Sequence, residues 1–188
     1  AALVAVVAGF VKGVVGFGMP MVFVSGLSTF LAPELALAGL ILPTLVANLM
    51  QAFRQGPGAA WESAKIFKVF LLVGLVTLII GAQMVRILPM WSMLLIIGGP
   101  VTLFAMLQLR GIEVKLKGKS NRVAASVGAC AGFMGGLSGI WGPPTVAYLS
   151  ALGTPKDDQM RVQGVIYGLG AVALTVAHFG SGVLRGQT

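Results

Sequence analysis

Residues 65–85 read KIFKVFLLVGLVTLIIGAQMV, and the rest of the chain is written in the same style. Six apolar runs follow one another with only short polar links between them. Several reach the length of about 20 residues that a helix needs to cross roughly 30 Å of hydrocarbon. No pattern constrains the fold more, because a chain of such runs has no water-soluble surface to offer. Only 10% of the 188 residues are charged, against about 25% in an ordinary soluble domain. The runs do not alternate as the strands of a membrane barrel do. The expected fold is an all-α polytopic membrane protein.

The net charge of +8 does not point to nucleic acid. Its basic residues gather in RGIEVKLKGKSNR, residues 110–122, and around Arg54, Lys65 and Lys68. These are short links, and basic links mark the cytoplasmic side of a membrane protein. Anionic lipid headgroups are sufficient partners for them. The one cysteine, Cys130, sits among alanines and glycines and reads as a small packing residue. No metal-ligand cluster, no nucleophile motif and no phosphate-cradling loop is written in the chain, so no cofactor and no enzymatic activity are expected. The opening residues lack the basic start of a signal peptide. The chain begins in an apolar run without an initiator methionine and reads as a trimmed piece.

Along the chain, residues 1–31 and 34–53 form the first two runs, with RQGPGAAWES read as a loop after them. Residues 65–85 and 90–109 follow, then the basic link, then 123–152 and 159–184. Two of these runs carry nearly the same phrase. AGFVKGVVGFGMP begins at Ala8 and AGFMGGLSGIWGPP at Ala131, with Trp141 as one inserted residue. Gly16, Gly18 and Pro20 then fall on Gly139, Gly142 and Pro144. The chain therefore divides into a first repeat over 1–109, a basic cytoplasmic link over 110–122, and a second, incomplete repeat over 123–188. Symmetry leads one to expect two more apolar helices after the second repeat's two runs.

Both copies lie in runs too long for one plain span. Thirty-one residues would reach roughly 46 Å as a helix, against about 30 Å of hydrocarbon. Glycine permits non-helical dihedrals and proline removes a backbone donor. The expected result is a broken or re-entrant helix opening each repeat. Bare backbone at membrane depth is tolerated only inside protein or beside a watery cavity. Matched broken helices in two repeats point to a transporter's binding site, and half-helix N-termini suit an anion. The competing reading is that these glycines only let helices pack closely in lipid. A crossing break gives parallel repeats and a hairpin gives inverted ones; the excess length favours the hairpin.

Gly16, Gly18 and Pro20 from the first break, and Ser138, Gly139, Trp141, Gly142 and Pro143 from the second, are the first candidates for a substrate site. Asn48 and Gln51, three apart on one helix face, and Arg161, Gln163 and Tyr167, early in the sixth run, complete the set. Arg161 is the cation best placed by sequence, although Asp157 and Asp158 stand at pairing distance along the helix. Lys12 precedes the first break. It reads either as a snorkelling interface residue or as charge balance for an anion.

These residues resemble a known family. AGFVKGVVGFGMPM and AGFMGGLSGIWGPPTVAYL, each followed by a proline-started helix, resemble the TauE/SafE sulfite exporter family of bacterial membrane transporters. Met19 and Pro143 stand where that family usually carries glycine. The resemblance implies a multi-pass protein of the bacterial inner membrane that moves a small sulfur-containing anion, such as sulfite or a sulfonate, by alternating access. The other readings of the same residues are a non-transporting membrane subunit and a passive channel. A homo-oligomer is compatible with either.

Overall fold

A computed structural model describes the backbone of residues 2–27, 29–30, 33–85, 87–111 and 114–180; the side chains at 24, 33–41, 90 and 174–180 are not described. Among these residues every regular element is helical. The helices are α1 (Ala2–Val15), α2 (Met19–Leu27), α3 (Pro33–Phe53), α4 (Pro57–Ile66), α5 (Lys68–Met84), α6 (Met90–Leu109), α7 (Asn121–Ser138), α8 (Gly142–Ala151) and α9 (Lys156–Gly180).

Helix α6 shows what surrounds the protein. Its stretch Trp91–Leu109 is long and apolar enough to cross a membrane, and none of that stretch is buried inside the molecule. Its leucines lie open on several faces, with Leu94, Leu95 and Leu103 all exposed. An apolar helix this long with no buried residue is what a lipid surrounding accommodates. The pair α4 and α5 passes the same test if counted as one span, although it bends by 78° at Phe67.

Residues 57–66, expected to belong mostly to a loop, are helical instead. The breaker Gly56-Pro57 starts α4 rather than preventing it. Gly56 takes φ 90° and Pro57 occupies the first helical turn, where its missing N–H costs nothing. Lys65 then lies over the Trp61 ring one turn away, 5.5 Å from its centre.

The duplicated phrases form two helix breaks. α1 ends at Val15, Gly16 and Gly18 take φ of 85° and 89°, and α2 begins at Met19. A side chain is rarely held at such φ, so glycine is what allows the turn. α2 then runs back along α1. Val4 meets Gly26, and Ala8, Met19, Phe23 and Leu27 form one buried cluster. In the second copy Gly139, at φ 72°, closes α7 by donating its N–H to the Gly135 carbonyl. Pro143 and Pro144 then open α8. α8 also doubles back, since the Leu116 N–H, just before α7, bonds the Ala151 carbonyl at its end, 2.8 Å.

The largest helix contact joins α5 to α7, which run parallel. Phe70 faces Gly128, Gly74 faces Gly132, and Leu78 faces Gly136. Small residues let the two backbones touch, the usual means of helix association in lipid. α3 and α9 pack antiparallel, with Gly164 against Gln51 and Ala52, and Gly168 against Asn48. The start of α9, the end of α3 and the basic link gather at one end, which we call the basic end.

Candidate functional site

The two hairpin tips meet. The Phe17 ring, at the first tip, lies against Gly142 at the second. α3 and α9 flank this junction. The Gln51 Nε2 donates to the carbonyl oxygen of Gly16, 3.2 Å. Gln163 presses on Gly16 so closely that a Cβ there would collide with its carboxamide. Glycine at 16 is thus required by the turn, and a side chain there would also have to displace the end of Gln163.

Behind the first tip, one turn back along α1, Lys12 is 4% exposed. Its ammonium donates to Asn48 Oδ1 at 2.7 Å and stands 5.5 Å from the centre of the Tyr167 ring. Trp141 leans on the other side of the cluster, its ring 6.2 Å from that of Tyr167. No carboxylate reaches Lys12 among the described residues. Asp157 pairs with Arg54 at 3.2 Å and Asp158 with Arg161 at 3.0 Å, both at the basic end. Burying an ammonium without a counter-charge costs several kcal/mol. Lys12 is stabilised here by one amide oxygen and a ring face alone.

The polar atoms around it are incompletely used. Asn48 Nδ2, Gln51 Oε1 and Gln163 Oε1 are buried without a hydrogen-bond partner. The Tyr167 hydroxyl lies near the Thr145 side chain without completing a bond of normal geometry. Thr44, one turn from Asn48 on α3, also leaves its hydroxyl unpaired. Each such group costs about 1–3 kcal/mol. Thr44, Asn48 and Gln51 thus form a polar stripe on one helix face, aimed into the molecule.

The residues singled out in the sequence separate into groups. Gly16, Asn48, Gln51, Gln163, Tyr167, Trp141 and Gly142 come together around the tips. Gly18 shapes the first turn, and Pro20 and Pro143 lie in the first turns of α2 and α8. Gly139 caps α7, with open space where a side chain would stand. Ser138 also serves the end of α7: its hydroxyl donates to the Met134 carbonyl and accepts the Ile140 N–H. Arg161 is engaged elsewhere, donating to Ser63 Oγ at 2.8 Å besides its pair with Asp158. The residues not singled out are Thr44 and Phe17; Lys12, read as either an interface residue or charge balance for an anion, is the cation of the cluster. Arg54 and Asp157 form an exposed pair, worth at most about 1 kcal/mol. Asp157→Asn is therefore expected to change stability by no more than about 1 kcal/mol, as measured by thermal unfolding in detergent.

No curated protein and no solved structure matches the chain significantly. A family model described as Sulfite exporter TauE/SafE matches residues 1–188. The chain therefore belongs to the TauE/SafE sulfite exporter family, a family of membrane transporters.

Proposed function

We propose that this protein is a secondary transporter of the bacterial plasma membrane that moves a small sulfur-containing monoanion, sulfite-like or sulfonate, through a site at the two hairpin tips. The observation that carries this reading is Lys12, a buried cation that no carboxylate reaches among the described residues. An anion seated beside Lys12 completes the charge. Asn48 Nδ2 is an unpartnered donor of the kind an oxyanion accepts. Gln163 and Tyr167 sit seven and eleven residues into α9 from Lys156, roughly 10 and 17 Å along the helix. That depth is near the middle of about 30 Å of hydrocarbon.

The two hairpins are the matching halves of an inverted repeat in this reading. The first has its tip level with Gln51, towards the basic end, and opens away from it. The second starts and finishes at the basic end, so its tip points the other way. Hairpins entering from opposite sides and meeting at the site allow one half to rock against the other, exposing Lys12 to each side in turn.

The test is counterflow of labelled sulfite and ethanesulfonate in proteoliposomes. The unaltered protein is expected to show saturable exchange, and Gly16→Ala to lose roughly tenfold, since a non-glycine residue held at φ 85° costs about 1–3 kcal/mol. Absence of flux from the unaltered protein would support a non-transporting subunit and end the proposal. Flux that neither saturates nor exchanges would indicate a passive channel.

A further inference from the structure

A second polar cavity opens at the basic end, separate from the Lys12 cluster. It has a volume of about 260 Å³ and is lined by Ser63 of α4, Phe67 at the bend, Lys119 of the basic link, Thr154 of the α8–α9 turn, and Asp158 and Arg161 of α9. One water occupies about 30 Å³ of liquid, so the cavity is roomy enough for a tetrahedral headgroup. Its charges do not cancel. Asp158 is consumed by Arg161 Nη1 at 3.0 Å, and Arg161 Nε is taken by Ser63. Arg161 keeps Nη2 without a partner among the described residues, and its side chain is only 16% exposed. The Lys119 ammonium faces the Phe67 ring, 5.2 Å from its centre, and pairs with no carboxylate among the described residues. The Thr154 hydroxyl is likewise unbonded.

We infer that this cavity is an oxyanion site in its own right, in which Arg161 Nη2, Lys119 Nζ and the Thr154 hydroxyl receive a sulfonate or phosphate group. The geometry explains the ion pair. Asp158 holds Nη1 and Ser63 holds Nε, which fixes the guanidinium plane and leaves Nη2 for a ligand. The parts come from four separate segments, so the site exists only when the bend at Phe67, the basic link and α9 are assembled. Two sources supply this chemistry at a basic membrane face: a soluble anion arriving from the aqueous side, and the phosphate of an anionic lipid. Neither depends on transport through Lys12.

The experiment measures ligand-induced stabilisation of the full chain carrying Lys12→Met, which removes the cation of the other cluster. In detergent, sodium methanesulfonate is titrated against sodium chloride at equal ionic strength, and the thermal midpoint is read. In parallel, the midpoint is read in nanodiscs of phosphatidylglycerol and of phosphatidylcholine. A saturable upward shift with methanesulfonate identifies a solute site, and a shift confined to phosphatidylglycerol a headgroup site. In either case Lys119→Gln is expected to weaken the effect roughly tenfold, the loss of one charge-assisted hydrogen bond. No shift with either ligand, or a shift unchanged by Lys119→Gln, overturns the inference. Because the readout is binding, a protein without flux leaves this result standing, and a transporting protein without the shift refutes it.

Discussion

Lys12→Met is expected to reduce anion exchange by two to three orders of magnitude while leaving the protein as stable as before, or more stable. The two halves of that expectation come from the same physics. Methionine fills nearly the same volume with a flexible apolar chain, so the space the lysine occupies beside Asn48 and the Tyr167 ring stays filled. It also removes a buried charge that no carboxylate answers among the described residues, which relieves a cost of several kcal/mol. The Asn48 oxygen loses its only donor, an opposing penalty of about 1–3 kcal/mol. For a bound anion the balance is different. It would lose its counter-charge in a dry site, where removing one member of a buried pair costs about 3–5 kcal/mol, or more than a hundredfold in affinity.

The measurement pairs counterflow in liposomes with thermal unfolding in detergent. A merely structural lysine predicts that both fall together. Exchange by Lys12→Met within threefold of the unaltered protein would remove Lys12 from the site. Lys12→Arg refines the result, because a guanidinium keeps the charge but is longer and planar. It is expected to retain more exchange than methionine and less than lysine.

The breaks were legible in the sequence because their cause is local. Positive φ at Gly16, Gly18 and Gly139 is a property of single residues, and two copies of the phrase announce it twice. The asymmetry between the lysine and the arginine was not legible in the same way. Arg161 follows the second break closely in sequence, and its neighbours Asp157 and Asp158 stand at helical pairing distance. Its second tie, to Ser63, spans 98 positions and depends on α4 being helical. Lys12 is answered from 36 positions away by Asn48. Whether a lysine near a break snorkels or is buried depends on what packs over it, and that is decided by the fold of α3 and α9. The segment around α4 misled for a related reason. Gly-Pro reads as a breaker, yet the same pair opens a helix when alanines follow it.

The glycines themselves divide between the two meanings weighed for them, and the division is measurable. Gly132→Leu is expected to be among the most disruptive single changes in the protein, lowering unfolding stability by at least about 3 kcal/mol. A Cβ at 132 would run into the Gly74 carbonyl and the Thr77 hydroxyl, and the carbonyl, being backbone, cannot step aside without parting α5 from α7. Overpacking that a flexible side chain absorbs is tolerated; overpacking against a neighbouring backbone moves the helix. Gly9, the matching position in the first copy of the phrase, meets nothing within 4 Å. Gly9→Leu adds only an apolar side chain to an open face of α1, and helix propensity favours leucine over glycine by up to about 1 kcal/mol. It is expected to leave stability unchanged or slightly raised. Unfolding in mixed detergent, followed by far-UV circular dichroism, reads both variants. Equal losses at 9 and 132 would mean that the open face of α1 is covered in the working protein. Equal tolerance would mean that the contact of α5 with α7 is looser than the backbone approach at Gly74 and Gly132 requires.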